Sequence, residues 1–182
     1  LPSYLVVTPY GIPIHRGTLD QKLLDKLVDS PARQSIVKQL SEGNAGVMVL
    51  VTGADKKANE AAEKLIKKFL ADIHSGEIEL YLPPTGGFFG PVVESENEGG
   101  GQEEDEQPEE PLVEVGFAKI DRNSEQEKWL AESLLSMEQD LKDKEFENQP
   151  MMFVVFGRGR ALPPCVGKGI NRDNLLDCVD FV

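Results

Sequence analysis

The apolar run from Met151 to Phe156 (MMFVVF) constrains the fold more than any other stretch of this chain. Pro150 precedes the run, and a glycine-arginine turn from Gly157 to Arg160 follows it. A continuous apolar run of strand length predicts a strand buried on both faces, as in a sheet covered by helices. A second run of this kind, Gly46 to Val51, predicts another central strand.

Helical patterns separate the predicted strands. Each pattern begins with a side chain that can cap a helix N-terminus, and apolar residues follow at helical spacing. The expected caps are Thr18 or Asp20, Ser30 with Pro31 in the first helical position, Asp55, the capping box of Ser124 and Glu127, and Asn171. Further short strands are predicted within residues 4–14, 77–82, 112–120 and 161–170. This alternation favours an α/β fold.

The charge of the chain is concentrated in one window. Residues 92–112 carry nine acidic residues and no basic one, although the net charge of the whole chain is −13. We expect the acidic low-complexity insert at residues 86–111 to be disordered, because it cannot bury enough apolar surface to offset the entropy of ordering. The rest of the chain remains mildly acidic, whereas contacts with nucleic-acid phosphates need a basic face, so we expect no nucleic-acid partner. No apolar run approaches the ~18 residues of a membrane span.

The order of the predicted elements from residue 45 onward resembles the thioredoxin fold. The matching pieces are the strand Val47–Val51 with the helix from Lys57, the strand Phe117–Asp121 that ends in an aspartate, and the C-terminal half from Pro150 through the returning strand near Gly167 and Gly169 to the last helix. The resemblance implies that the strands at 47–51 and 151–156 are neighbours in the sheet. It also implies a cis peptide bond between Gln149 and Pro150.

The residues that perform redox chemistry in that family are missing here. Thioredoxins need Cys-x-x-Cys at the start of the second helix, where the helix N-terminus lowers the pKa of a thiol. This chain has Asp55 to Ala61 (DKKANEA) at that place, and none of these residues can form a thiolate. The two histidines, His15 and His74, have no partner at metal-ligand spacing. We therefore expect no catalytic residue, no metal and no cofactor, and we favour a non-catalytic module over an enzyme.

The candidate binding residues lie before and after the apolar run Met151–Phe156. In the family, the proline at the position of Pro150 helps the backbone to hold an extended peptide, so we expect a peptide or protein partner at this surface. The cluster of Arg158, Arg160, Lys168 and Arg172 has no acid between its members and could bind a carboxylate, a phosphate or the acidic insert. The plainer interpretation of residues 157–160 is a hairpin turn whose glycines adopt positive φ.

Cys165 and Cys178 are the only cysteines, and their spacing fits no zinc pattern. Buried thiols, one disulfide and two unrelated residues all remain open. The alternative function is accordingly a divergent thiol-redox enzyme that uses Cys165 or Cys178.

Together these patterns predict one domain over residues 1–182. We expect a thioredoxin-like three-layer sandwich with a mixed central sheet, an N-terminal helical extension and the acidic insert. The string FGRGRAL also resembles uncharacterised exported bacterial proteins of thioredoxin-like type. This implies a periplasmic or extracellular location after removal of a leader. The apolar pattern at Phe181 and Val182 leads us to expect that the natural chain continues. The identity of the partner and the oligomeric state stay open.

Overall fold

Two buried strands form the centre of the fold in a computed structural model of the chain, which describes residues 2–8, 11–78, 80 and 113–182. Strand β3 (Gly46–Thr52) is buried along its whole length, and five of the six residues of β5 (Met151–Phe156) are buried as well. The two strands are antiparallel neighbours, with Val51 opposite Met151 and Gly46 opposite Phe156. The predicted adjacency of these two runs is therefore confirmed.

The main sheet is mixed and has five strands within the described part of the chain. Strand β4 (Val115–Asp121) pairs in parallel with β3 on one side. On the other side of β5, the short strands β6 (Arg160–Ala161) and β7 (Cys165–Val166) both pair antiparallel with it. The order is thus β4-β3-β5 followed by β6 and β7 at the edge. Pro163 and Pro164 separate the two edge strands, as expected from their inability to extend a ladder.

Helices cover both faces of this sheet, and the alternation of side chains explains why. Odd-numbered residues of β3 and β5 pack with helices α2 (Pro31–Ser41) and α4 (Lys128–Leu135). Even-numbered residues pack with α3 (Lys56–His74) and α5 (Arg172–Asp180). Because successive side chains of a strand point to opposite faces, an uninterrupted apolar run supplies both cores. The predicted α/β class with a mixed sheet is confirmed.

The N-terminal extension is a hairpin followed by two helices. Strands β1 (Tyr4–Val7) and β2 (Pro13–Gly17) form a separate antiparallel pair, and α1 (Gln21–Val28) leads to α2. The hairpin contacts α4 through an edge-on approach of the His15 ring to the Trp129 ring, whose centroids are 5.7 Å apart.

Four of the five predicted helix caps are confirmed. The side chains of Asp20, Ser30, Asp55 and Asn171 each accept a hydrogen bond from a backbone N–H in the first turn of α1, α2, α3 and α5. These caps depend on residues two or three positions apart, so a short window of sequence contains all the information that they need.

The predicted capping box of Ser124 and Glu127 is wrong. Glu127 stands directly before α4, but neither side chain caps that helix. The carboxylate of Glu127 instead accepts hydrogen bonds from the Ser30 hydroxyl (2.6 Å) and from the Ala32 N–H (2.9 Å) at the start of α2. Glu127 is buried, so the interaction that takes its carboxylate into the protein interior prevails over the local motif.

The prediction of a strand at residues 77–82 is also wrong for those of its residues that the structure describes. Residues 77, 78 and 80 are described, and none of them lies in a strand. Gly76 has a φ of 75°, which turns the chain back so that the Ile78 N–H donates to the Asp72 carbonyl and Ile78 packs against α3. The acidic insert at residues 86–111 lies outside the described residues.

Candidate functional site

Two loops are fastened to each other at the edge of the sheet where β3 ends and β5 begins. The Ala54 N–H donates to the Glu147 carbonyl (3.1 Å), and the Asp55 N–H donates to the Asn148 carbonyl (3.2 Å). The loops approach so closely at Gly53 that a Cβ there would lie 2.5 Å from the carbonyl carbon and oxygen of Asn148. Glycine is therefore required at Gly53 by the space available, and the loop before Pro150 is held against the start of α3.

A buried asparagine fixes the turn between β3 and α3. The side chain of Asn59 accepts a hydrogen bond from the Gly53 N–H (2.9 Å) and donates one to the Gly53 carbonyl (2.8 Å). Asn59 lies on the inner face of α3, where an amide is costly unless both of its ends are bonded. This pair of hydrogen bonds satisfies both ends and sets the position of the first turn of α3.

Arg122 holds the loop that leads into β5 from the other side. Its Nη1 donates to the carbonyls of Phe146 (3.3 Å) and Glu147 (3.2 Å), and its Nη2 lies 3.3 Å from the Met151 Sδ. Burial lowers the pKa of the Arg122 guanidinium, and the nearby Glu147 opposes that shift. The guanidinium thus joins the end of β4 to the start of β5 at the same edge of the sheet.

The N-terminus of α3 is already capped by a carboxylate. The Asp55 Oδ1 accepts from the Lys57 N–H (2.9 Å) and from the Ala58 N–H (3.1 Å). In a redox-active helix of this kind, the free N–H groups and the positive end of the helix dipole stabilise a thiolate. Here those groups are bonded to Asp55, and the chain has no cysteine in this turn. No residue from Asp55 to Ala61 can therefore form a thiolate at this helix start.

A cavity of about 350 Å³, which we call the Pro150 cavity, lies between the start of α3 and the segments around Pro150 and Gly167. Its walls combine small and apolar side chains of α3, the loop before β5, and the segment after β7. The lining residues include Asp55, Ala61, Leu65, Pro150, Lys168 and Ile170. Pro150 therefore lies close to the start of α3, on the opposite wall of this cavity.

The expected cis bond before Pro150 is wrong. No cis peptide bond occurs among the described residues, so the Gln149–Pro150 bond is trans. The trans isomer is the lower in free energy for most X–Pro bonds. The backbone of Pro150 is also engaged within the chain, because its carbonyl accepts from the Gly167 N–H at 2.8 Å.

The four predicted basic residues are divided between the two ends of β5. Lys168 lines the Pro150 cavity near the start of the strand, whereas Arg158 and Arg160 follow its end, about 20 Å away at strand spacing. Arg172, at the start of α5, has its Nη1 3.6 Å from the Asp72 carboxylate. The structure therefore does not bring these cations into one cluster. Gly157 and Gly159 do adopt positive φ, so the hairpin-turn interpretation is confirmed.

Arg158 lines a different cavity on the α2 and α4 face of the sheet. This cavity has a volume of about 460 Å³ and apolar walls that include Ile36, Leu40 and Leu134. Arg33 also lines it, and the Arg33 Nε is buried and makes no hydrogen bond with the described residues. Burial lowers the pKa of Arg33, while Glu127 and Asp29 oppose the shift.

The two cysteines are in contact where α5 packs against the edge of the sheet. Both are free, half-buried thiols, and their Sγ atoms are 3.9 Å apart, with Cys165 on β7 and Cys178 on α5. The hydrogen bond from Cys165 lowers the pKa of Cys178 to about 7, against the raising effects of burial and Asp177. The same hydrogen bond, together with burial, raises the pKa of Cys165. The structure thus has two free, half-buried thiols in contact, with no disulfide bond between them.

The histidines are engaged in ordinary structural contacts. The His74 Nδ1 lies 2.9 Å from the Leu70 carbonyl, and the His15 Nε2 lies 3.4 Å from the Thr18 carbonyl. Within residues 2–8, 11–78, 80 and 113–182, no group of three or more His, Cys, Asp or Glu side chains is arranged to hold a metal ion. Over the same ranges, each helix is too short or too polar to cross a bilayer.

Comparison of the chain with models of protein families, with curated proteins and with solved structures finds no match.

The sequence patterns did not lead us to three residues that hold the loops next to Pro150, namely Gly53, Asn59 and Arg122. Asn59 had a visible signal, because it occupies an apolar position of the α3 repeat that continues through Ala62 and Ile66. Gly53 follows a buried strand, which is where a close backbone approach is common. Arg122 had no signal, since its partners are more than twenty residues away along the chain.

Proposed function

We propose that this chain is a redox-inactive thioredoxin-like domain that binds an extended peptide segment of a partner protein at the Pro150 cavity. The observation that carries the proposal is the cavity itself, which lies between the start of α3 and the segment that opens β5. In the thioredoxin family these two elements flank the reacting thiols and the bound peptide.

The strand order supports the fold assignment within this proposal. From β3 onward, the elements follow the order strand, helix, strand, helix, three antiparallel strands (β5, β6 and β7) and helix. The parallel partner β4 lies on one side of β3 and the antiparallel β5 on the other, with the returning strands at the edge. This is the order expected of a thioredoxin-like sheet. The hairpin, α1 and α2 are additions to it.

The absence of a nucleophile supports a binding role over catalysis at this cavity. Asp55 occupies the N–H groups that would stabilise a thiolate, and the stretch from Asp55 to Ala61 contains no cysteine. The loops are also locked together through Gly53 and Arg122. A rigid, pre-formed cavity lowers the ordering cost of binding without requiring any chemistry.

The lining of the cavity indicates the kind of segment that it accepts. Ala61, Leu65 and Ile170 provide an apolar wall for a single apolar side chain. Lys168, which is exposed at the rim, provides a cation for an acidic residue next to it. We infer an extended segment with one apolar anchor residue flanked by an acidic one.

The test is selection of peptides from a random library on the folded chain, followed by affinity measurements on two tryptophan variants. Ala61 and Ala71 are both exposed alanines of α3, but only Ala61 lines the cavity. Ala61→Trp should weaken the binding of selected peptides by about tenfold or more, whereas Ala71→Trp should leave the binding unchanged.

Peptides that bind Ala61→Trp as well as the parent chain would contradict the proposal. So would a selection that enriches no peptide at all. Thermal unfolding of both variants serves as the control for folding, since each substitution places a large side chain on a solvent-facing position of the same helix.

The alternative of a thiol-redox enzyme has one observation in its favour, the 3.9 Å separation of the Cys165 and Cys178 sulfurs. Neither cysteine, however, lines the Pro150 cavity. Reduction of insulin disulfides by dithiothreitol measures this activity. Turnover by the parent chain that is lost in Cys178→Ser would make the enzyme the better assignment.

A further inference from the structure

The segment from Cys165 to Cys178 folds back on itself and brings its two ends together. Cys165 is the first residue of β7, a 3-10 helix (Gly167–Gly169) follows, and Cys178 lies in the last turn of α5. The Sγ atoms are 3.9 Å apart, whereas a disulfide bond needs about 2.05 Å. Rotation of one side chain about its χ1 covers a difference of this size, so no large movement of the backbone is required.

Both cysteines belong to the apolar layer between the sheet and α5. They pack against the buried cluster that includes Met152, Leu175 and Val179. Cys165 stands opposite Met152 in the ladder between β5 and β7, which anchors its backbone. Cys178 is anchored by α5, whose N-terminus is capped by Asn171. Two anchored thiols in contact have a high effective concentration for each other.

We propose that Cys165 and Cys178 are a reversible disulfide site that ties α5 to the edge of the sheet. The oxidant is a low-molecular-weight disulfide of the glutathione class. The Cys178 thiolate attacks one sulfur of that disulfide, which forms a mixed disulfide and releases one thiolate that takes up a proton. Cys165 then loses its proton and attacks the Cys178 sulfur, which forms the intrachain bond and releases the second thiol. The protein loses two electrons and two protons, and the small disulfide gains them.

The order of attack follows from the surroundings of the two thiols. The hydrogen bond from Cys165 stabilises the thiolate form of Cys178, whereas Cys165 itself is disfavoured as a thiolate. Cys178 is therefore the sulfur that meets the small disulfide, and Cys165 resolves the mixed intermediate. Reduction by an excess of small thiol reverses both steps.

The bond would close a short loop that contains part of the Pro150 cavity. Gly167, Lys168 and Ile170 lie between the two cysteines in the chain and line that cavity. The proposed disulfide does not depend on peptide binding, because it follows from the positions of the two sulfurs alone. If both proposals hold, oxidation stiffens one wall of the cavity.

The experiment is equilibration of the parent chain in glutathione buffers of graded redox ratio, with acid quenching, thiol alkylation and intact-mass analysis. The expected product is a monomer that has lost both thiols and two hydrogen atoms. The equilibrium constant for its formation should be on the order of 100-fold greater in the folded chain than in the chain unfolded in urea, because folding has already brought the ends of the loop together. The melting temperature of the oxidised chain should rise by about 5 to 10 °C.

Cys165→Ser and Cys178→Ser are the matched controls, and each should stop at a mixed disulfide with glutathione. Three results would overturn the proposal: two free thiols in folded protein under buffers that oxidise the unfolded chain, a mixed or interchain disulfide as the main product, or equal equilibrium constants in the folded and unfolded chain. The comparison of folded and unfolded parent chain requires no variant, so a variant that fails to fold does not affect it.

Discussion

The starts of α3 and α2 are fastened to the rest of the molecule in opposite ways. The α3 start is held by its own neighbours and by backbone contact: Asp55 caps the helix locally, and Gly53 allows another loop to approach. The α2 start also has a local cap, Ser30, but it binds in addition a carboxylate from far along the chain, because Glu127 accepts from the Ser30 hydroxyl and from the Ala32 N–H. A helix start can thus be held by a close backbone contact, as at Gly53, or by a distant carboxylate, as at Glu127. We expect substitutions at these two positions to lower the free energy of unfolding by different amounts.

Gly53→Ala should produce the largest loss of stability. The new Cβ would lie 2.5 Å from backbone atoms of Asn148, which cannot move without breaking the hydrogen bonds between the loops. We expect the free energy of unfolding in urea to fall by about 3 kcal/mol. Gly169→Ala is the matched control, since its Cβ would be 3.9 Å from the nearest atom, and it should change little. Equal stability of the two variants would show that shape does not hold the α3 corner.

Glu127→Ala tests the distant charge at the α2 corner. The substitution leaves the buried Ser30 hydroxyl and the Ala32 N–H without their acceptor, so we expect a loss of about 2 kcal/mol in urea unfolding. Glu125 is exposed on the same segment, and Glu125→Ala should stay within about 0.5 kcal/mol of the parent chain. If both variants unfold alike, the carboxylate of Glu127 contributes nothing that solvent cannot replace.

Asp55→Ala should have a smaller effect than either. Its carboxylate is exposed, and water can take over part of its role toward the Lys57 and Ala58 N–H groups. The expected loss is about 1 kcal/mol in urea unfolding, and Asp55→Asn should recover most of it because asparagine is also a good N-cap. A loss as large as that of Gly53→Ala would mean that the local cap stabilises the start of α3 as much as the close approach at Gly53 does.

The pH dependence of Cys178 alkylation tests whether a neighbouring side chain, rather than a helix N-terminus, stabilises a thiolate in this protein. The thiolate of Cys178 depends on the Cys165 hydrogen bond and not on a helix N-terminus. Its alkylation rate should therefore rise through a midpoint near pH 7, since the pKa of Cys178 is lowered to about 7 from the ordinary 9.0. Cys165→Ala removes the donor and should raise the midpoint toward 9.0. An unchanged midpoint would mean that another group stabilises the thiolate.

The elements that depend on local pattern were predictable from the sequence. The runs at residues 46–51 and 151–156 are continuously apolar, and a strand buried on both faces is the simplest structure that accommodates them. The caps at Asp55 and Asn171 involve only neighbouring residues. The adjacency of the two apolar runs in the sheet was predicted from the resemblance in element order.

The features that depend on distant partners were not predictable. Ser124 and Glu127 satisfy the spacing of a capping box, yet Glu127 bonds to residues more than ninety positions earlier. The prediction of one basic cluster failed because a strand of six residues separates Arg158 from Lys168 in space. The contact of Cys165 with Cys178 depends on how the chain turns between β7 and α5, which spacing alone does not determine.

The Glu127 contact also has a consequence during synthesis. Ser30 is 97 positions ahead of Glu127, so α2 leaves the ribosome long before its acceptor is made. At a translation rate of about 5–20 residues per second, this delay is roughly 5 to 20 s. A helix of 11 residues is marginal on its own in water. During that interval the Ser30 hydroxyl and the Ala32 N–H lack the acceptor that they have in the folded protein, and only the packing of α2 against β3 can hold the helix.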